Sequence, residues 1–312
     1  MAKFINQQQI FLALSRGAVI QTSEIAADVL HELTYHGIQI IEKTVSLPEE
    51  VELLDKSFIE DSISQLHWIK RFEVESFVES TNTTLVNRAL EQSIDGHVLT
   101  AEAQFGGRGR RGRSWMSPFA RNLAISIGMK LHRSAGEIGS FSLVVGVAVV
   151  DVLREAGVRE LSLKWPNDVL LGRRKVCGIL IELVPSEMSF EVVIGLGVNI
   201  GAQPLISGAV DQEVADVCEQ VPDMSRNKLA ASLIKKIVQY GREFSTSGFL
   251  PFRNRWEQLN EFQGREVSIS MPRETILGKC VGVNKVGCLL VEEGSCVREI
   301  YAGEVSLRGA DK

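Results

Sequence analysis

Histidine is scarce in this chain, five residues in 312, and none of the five forms an HxxH or HExxH pair. Zinc sites built on imidazole use such spacings, so no protein-held zinc centre is expected. The five cysteines are odd in number, scattered at 177, 218, 280, 288 and 296, and free of any CxxC pairing. They read as reduced thiols of a cytoplasmic protein, not as a disulfide framework. A secretory segment is missing too, because polar Gln7, Gln8 and Gln9 stand where its apolar core would run. The longest apolar run, Leu143 to Val150, stops at Asp151 and is too short to cross a bilayer, so no membrane partner is expected. There is no GxSxG, no Cys–His arrangement and no clustered carboxylate pair, which argues against covalent or acid–base hydrolysis.

What is present is an ordinary globular composition, 45% apolar and 23% charged. At roughly 100–200 residues per domain, the length suggests two domains, or three with one small. The net charge of −5 argues against a life on nucleic acid, but the mean hides an asymmetry. Residues 1–62 hold four basic side chains (Lys3, Arg16, Lys43, Lys56) against ten acidic ones. By contrast, Ala103 to Gly136 carries Arg108, Arg110, Arg111, Arg113, Arg121, Lys130 and Arg133 and no acid. An acidic chain thus has one concentrated cationic site.

Along the chain, residues 1–62 read as a small helical unit. Gln7 to Leu14 has helical spacing, Thr22 or Ser23 can cap a helix that runs to His36 and stops at Gly37, and a short strand Ile38 to Ile41 follows. A DNA-reading winged helix needs two helices between its first helix and its strand, and Ala18 to Gly37 holds only one. Residues 63–262 mix strand-like runs (Phe72–Val78, His97–Gln104, Leu123–Met129, Leu161–Lys164, Val176–Leu183, Glu191–Val198) with helices near Asn82–Glu91, Gly139–Glu155, Asn227–Tyr240 and Phe249–Leu259. The order is not a strict βαβ alternation, so the expected fold class is α+β: a mixed β-sheet domain, large enough to be catalytic, with helices on one face. Residues 263–312 break into short glycine-punctuated strands, the pattern of a small SH3-like β-barrel.

Gly106 to Arg113 interleaves four glycines with four arginines. Gly107, Gly109 and Gly112 satisfy GxGxxG, but a dinucleotide fingerprint needs a helix next and an acid about 20 residues on. Here Ser114-Trp115-Met116-Ser117-Pro118 follows, with no acid before Glu137. An RGG tract would be long and repetitive, whereas this is one loop between apolar strands. Glycine N–H groups and arginine forks suit phosphate or carboxylate, and a loop that repels itself when empty can act as a lid; a solvated loop without a role is the bland alternative. Lys164-Trp165-Pro166-Asn167-Asp168 ends a strand; Pro166 should keep Trp165 extended, and Lys164 is either a fixed charge in a cleft or a surface lysine. Gly195-Leu196-Gly197-Val198-Asn199 suits close approach of a flat ligand, or a bulge. Ser80-Thr81-Asn82 is either a plain N-cap or a polar floor for a neutral ligand head.

Taken in order, GRGRRGR before Trp-x-Ser-Pro, KWPNDVLL with RKVCGILIEL, and GLGVN strongly resemble biotin protein ligases, specifically the bacterial type that doubles as biotin operon repressor. The resemblance spans Val74 to Arg308. It implies a two-step reaction in which biotin and ATP, with Mg²⁺, give biotinyl-5′-AMP and pyrophosphate. A lysine of a biotin carrier protein, such as the acetyl-CoA carboxylase carrier subunit, then takes the biotinyl group. By the family's pattern Lys164 and Arg110 are catalytic. Ser80, Thr81, Asn82, Gln104, Arg108, Gly109, Arg110 and Lys164 bind biotin; Gly107, Arg110, Arg113, Trp115, Lys164 and Asn199 bind the adenylate. The family often dimerises edge to edge through its central sheet, so the resemblance makes a homodimer of that kind a candidate partner arrangement. Two alternatives stay open: a ligase that is also a DNA-binding repressor, and a lipoate or octanoate ligase or transferase. The repressor types carry a full winged helix and a Gly-x-Gly-Tyr wing, where this chain has one helix fewer and Glu42-Lys43-Thr44-Val45-Ser46-Leu47. Its acidic charge also opposes phosphate contact. A vestigial winged-helix-like cap is therefore favoured and DNA disfavoured.

Overall fold

The N-terminal unit is built around two short helices, α1 (Gln7–Leu14) and α2 (Ala27–Tyr35), and three strands, β1 (Ile20–Gln21), β2 (Gln39–Ile41) and β3 (Thr44–Ser46), in the antiparallel order β1-β3-β2. In the computed structural model the described residues are 7–14, 16–35, 37–47, 51–186, 189–202, 212–271, 274–301 and 306–309. The expected cap at Thr22 or Ser23 does not start α2. Thr22–Glu24 is a separate 3₁₀ turn that ends where Ile25 turns extended, φ −116° and ψ 135°. Ile25 is buried, and driving it into the core breaks the helix there. Glu42 and Lys43 both have positive φ, +46° and +70°, so β2 and β3 join through a two-residue turn instead of a long wing. Ile10, Leu14, Ile20, Ile25, Leu33, Ile38 and Val45 form one cluster with Phe77, Ala103, Phe119 and Ala120, which seats the unit on the next part of the chain.

After α3 (Lys56–Ile63) come β4 (Arg71–Glu75), α4 (Thr81–Ala89), β5 (His97–Ala101), β6 (Asn122–Leu131), α5 (Ala135–Ile138) and α6 (Phe141–Glu155). Next are β7 (Leu161–Lys164), β8 (Asp168–Leu171), β9 (Arg174–Ser186), β10 (Ser189–Asn199), α7 (Arg226–Ser247) and α8 (Arg253–Leu259). The strands make one seven-stranded mixed sheet in the order β4-β5-β6-β10-β9-β8-β7, with β4 and β5 parallel and the remaining pairs antiparallel. The period-2 alternation of strands splits β6 and β10 cleanly. Leu123, Ile125, Ile127, Met129 and Leu131, with Val192, Ile194, Leu196 and Val198, join the main core with α6 and α7.

The expectation of helices on one face is corrected by what the other face holds. There the same strands carry Ala124, Ser126, Gly128, Val193, Gly195 and Gly197, and these small residues leave room for α4. Leu85 of α4 packs with Ile94, Leu99 and Val193. The segment Ala135–Glu155 is apolar and long enough to cross a membrane by composition alone, but 83% of its most apolar window is buried as the core helix of this domain.

The C-terminal strands are β11 (Glu266–Ser270), β12 (Thr275–Val283), β13 (Leu289–Glu293), β14 (Cys296–Ile300) and β15 (Ser306–Gly309). They form an antiparallel sheet ordered β14-β13-β12-β11-β15; among the described residues its two outer strands do not pair to close a barrel. Its apolar face, including Val267, Ile269, Val283, Leu289 and Leu307, is continuous with the main core. The Trp165–Pro166 peptide is cis and lies in the turn between β7 and β8, so that stretch is not simply extended. Trp165 is buried, and its Nε1 donates to the Gly287 carbonyl at 3.2 Å, tying this turn to the C-terminal sheet.

Candidate active site

One cavity of about 140 Å³ opens between α4, the arginine loop, the β7–β8 turn and the ends of β9 and β10. Ser80, Thr81, Asn82, Gln104, Arg108, Gly109, Arg110, Arg113, Trp115, Lys164 and Asn199 all line it. Of the expected site residues only Gly107 does not. A Cβ there would meet the Trp115 carbonyl at 2.4 Å, so the residue faces into its own hairpin.

The floor is a hydrogen-bonded chain. Ser80 is the N-cap of α4, its Oγ accepting from the Thr83 N–H at 3.3 Å, so the bland reading of this motif and the lining of the cavity hold together. The Thr81 N–H donates to Gln104 Oε1 at 2.9 Å. Ser126 Oγ lies 2.7 Å from Thr81 Oγ1 and 2.6 Å from Asn82 Oδ1. Asn82 Nδ2 donates to Glu182 at 2.8 Å and to the Leu180 carbonyl at 3.3 Å, so both of its donors are engaged within the protein. Asn82 sits over Gly195, where an added Cβ would fall 2.1 Å from its Oδ1. Ser126 and Glu182 escaped the sequence reading. The run of small residues on alternate positions, Ala124-Ser126-Gly128, was the available signal for the first; nothing local marks the second.

The loop is a closed hairpin. Trp115 N–H donates to the Gly107 carbonyl at 2.8 Å, Arg108 bridges Ser114, and Gly109 N–H donates to the Arg113 carbonyl at 2.7 Å. A 3₁₀ turn, Arg110–Gly112, tops it, with Arg111 at φ +60°. Self-repulsion is relieved by sending the arginines to separate acceptors: Arg108 to Glu182 at 2.8 Å, Arg110 to Asn167 Oδ1 at 3.3 Å. Burial lowers the pKa of Arg110 below the ordinary arginine value, opposed by Asp168 and reinforced by Arg111 and Arg113.

Lys164 ends β7 opposite Asp168 of β8. Asp168 is taken by Lys175, 2.8 Å away with both side chains largely buried, and among the described residues Lys164 forms no ion pair. Burial pushes the Lys164 ammonium below the usual lysine range; Asp168 pulls it back, and Lys175, Arg308 and Arg113 push it further down. The result is a partly buried cation in a pocket also lined by Arg108, Arg110, Arg111, Arg113 and Lys175, a place that favours an anion.

At the far end the flat group close to the Gly197 backbone is Trp115 itself. A Cβ on Gly197 would lie 2.2 Å from its Cε2 and one on Gly178 3.0 Å from its Cζ3, while Lys175 Nζ stands 5.4 Å from the ring centroid. Asn199 Nδ2 donates to the Ala215 carbonyl at 3.1 Å. Among the described residues Trp115 Nε1 and Asn199 Oδ1 are buried without a hydrogen-bond partner, one donor and one acceptor in the same cavity. Buried polar atoms without partners are rare and mark a place where a ligand can satisfy them.

Among the described residues no group of three His, Cys, Asp or Glu could hold a metal ion, and the cavity lining has one carboxylate, the paired Asp168. This donor set does not fit a protein-held Mg²⁺. The five cysteines are free thiols, and burial raises the pKa of Cys177, an inert position in the core.

A sheet-based pocket that pairs a neutral polar floor with a cationic loop suits a ligand with a neutral polar head and an anionic end. Residues 74–199 match the Biotin/lipoate A/B protein ligase family, and residues 262–308 match the Biotin protein ligase C terminal domain. The chain belongs to the biotin protein ligase family. It is 36% identical to the bifunctional ligase/repressor BirA of Escherichia coli (strain K12), over 86% of this chain and 83% of that protein. The biotin–[acetyl-CoA-carboxylase] ligase of Paracoccus denitrificans is 31% identical over 74% of this chain and 98% of that protein. Among solved structures, the biotin protein ligase from Aquifex aeolicus in complex with biotin and ATP superposes with a TM-score of 0.66 and 29% identity, covering 77% of this chain and all of that one.

Proposed function

We propose that this chain is an ATP-dependent biotin protein ligase acting on a biotin carrier protein, organised as residues 1–62, 63–262 and 263–312. The observation that carries the reading is Lys164, partly buried and in no ion pair among the described residues, lining one cavity with the neutral floor and the arginine hairpin. Biotin pairs a neutral ureido ring with a carboxylate on an apolar stem. Ser80, Thr81 and Gln104 suit the ring, and Lys164 suits the carboxylate. A carboxylate is a poor electrophile and must be activated: its oxygen attacks the α-phosphorus of ATP, the P–O bond to pyrophosphate breaks, and biotinyl-5′-AMP forms. Lys164, Arg110 and Arg113 meet the negative charge that builds on that phosphorus. Mg²⁺ arrives with the nucleotide as part of the substrate. Trp115 and Asn199, with one unused donor and one unused acceptor, offer edge contacts to adenine beside the indole face. In the second step a carrier lysine amine attacks the acyl carbon, the C–O bond to AMP breaks and the amine loses a proton.

Biotin-dependent exchange of labelled pyrophosphate into ATP tests the first half-reaction, and transfer of labelled biotin to a carrier domain tests the second. Absence of both sinks the proposal. Because the matched family description covers lipoate as well as biotin, excess lipoate should be included; competition by lipoate would move the assignment to that substrate. A repressor role is the second reading, favoured by the identity with a bifunctional ligase/repressor. The two-residue turn at Glu42-Lys43 and the acidic first 62 residues oppose it. A gel shift of biotin-promoter DNA by the adenylate-loaded protein at low salt decides it. Edge-to-edge dimerisation belongs to the same reading, since β4 is an outer strand, and sedimentation with and without adenylate tests it.

A further inference from the structure

Glu182 stands on β9 opposite Val193 of β10, and Val193 packs beneath α4, so cross-strand register aims both side chains at the face that carries the pocket. There the carboxylate does two things at once. Both of its oxygens accept from Arg108 Nη2, at 2.8 and 3.0 Å, and Oε2 also accepts from Asn82 Nδ2 at 2.8 Å. A half-exposed ion pair alone contributes little to stability. This one closes a circuit. From Arg108 the contacts run through Glu182, Asn82, Ser126 and Thr81 to Gln104, and the Gln104 amide packs 3.2 Å from the position of a Cβ on Gly107, at the root of the same loop.

Resting on the ligase reading, we propose that Glu182 is a positioning residue. It latches the arginine hairpin across the pocket and holds the floor residue Asn82 in register with it, so that the site is formed before biotin arrives. Glu182 is the anionic member of the circuit, and residues 107–113 carry four arginines and no acid. Without that charge Arg108 returns to solvent and the hairpin is left with its own repulsion. Ordering the loop then falls on ligand binding and weakens it.

The test uses the full chain with Glu182→Gln, which keeps an acceptor for Asn82 and removes the charge that faces Arg108. Loss of a charge-assisted contact predicts about a tenfold rise in KM for biotin, larger than any fall in kcat, and more biotinyl-5′-AMP released to solution. It also predicts about tenfold faster tryptic cleavage within the arginine hairpin of the ligand-free protein. Glu182→Asp, which retains the charge one methylene further back, should restore part of the protease resistance. Combining Arg108→Gln with Glu182→Gln should speed cleavage at the remaining hairpin arginines no more than either change alone, because both break the same ion pair. Unchanged cleavage and unchanged KM, additive effects in the double variant, or an Asp variant no better than Gln each overturn the latch. If Glu182→Gln does not fold, as judged by thermal melting, Arg108→Gln at its exposed side chain gives the same reading through cleavage at the remaining arginines. Since proteolysis needs no ligand, a chain that shows the latch but makes no biotinyl-5′-AMP defeats the ligase reading alone.

Discussion

The indole of Trp115 occupies the space that any side chain at Gly197 would need, an added Cβ falling 2.2 Å from Cε2. Glycine is required there for close approach, not for backbone conformation. Gly197→Ala should therefore push Trp115 from its seat and disturb the end of the cavity proposed to take the nucleotide. Overpacking of this kind predicts a rise in KM for ATP of about tenfold or more. Pyrophosphate exchange measured against ATP, beside direct biotin binding by calorimetry, separates the two ends; an equal loss at both would assign Trp115 a general structural role.

On the proposed reading Lys164 is the cation that faces the reacting phosphorus. Lys164→Ala should lower pyrophosphate exchange by about 10²–10³-fold.

The pKa of Lys164 is held below its unfolded value, so the group loses its proton in the folded protein at a lower pH than a free lysine does. Activity that depends on its charge should fall on the alkaline side, before the ordinary lysine range is reached. Between the two pKa values the unfolded chain binds more protons, so this group makes the folded state relatively more stable as pH rises. Lys164→Met should accordingly melt no lower than the parent near neutral pH while being inactive. A clear drop in melting temperature would show that the lysine stabilises the fold.

Arg226 and Glu102 form an ion pair at 2.7 Å with each side chain 4% exposed, and Arg226 also donates to the Asn122 carbonyl at 2.8 Å. Glu102 accepts from the Leu54 N–H, and Asn227 Nδ2 donates to the Leu53 carbonyl at 2.8 Å, so the cluster pins the segment leading from the N-terminal unit. Arg226→Met alone leaves a buried carboxylate without its cation and should cost about 3–5 kcal/mol. Chemical denaturation of the single variant and of the double variant with Glu102→Gln checks this, and the double should recover part of the loss.

Trp165→Phe deletes the 3.2 Å bond to Gly287 and leaves a buried carbonyl unpaired. A loss of about 1–3 kcal/mol is expected, with a smaller effect on catalysis than any change at Lys164 itself. Thermal unfolding followed beside pyrophosphate exchange distinguishes the two.

Much of the sheet was legible because its strands are apolar and bounded by clear turns. Leu161–Lys164 was placed to the residue, and the helix over Phe141–Glu155 nearly so. The strand Asp168–Leu171 was missed, since four residues next to a turn motif carry too little periodicity. The cap at Thr22 failed because burial of Ile25 outweighed local capping preference. The glycines of Gly195-Leu196-Gly197 were read as room for a flat ligand, and close approach was the right physics. What comes close is Asn82 at one and Trp115 at the other, contacts spanning 113 and 82 residues of chain that no local pattern encodes.

The amino-acid sequence by itself determined where cationic charge is concentrated: an acid-free, arginine-rich loop in an otherwise acidic chain suits an anion, because like charges so close in the chain gain from a counter-charge. It also determined the cap Ser80 and the lysine at a strand end, both local matters of backbone and charge. Only the tertiary structure decided which charges are spent. Asp168 goes to Lys175 and Glu182 to Arg108, while Lys164, partly buried in the same pocket, is in no ion pair among the described residues. Pairing across strands distant in sequence sets that allocation, and the cost of desolvating a charge makes it matter.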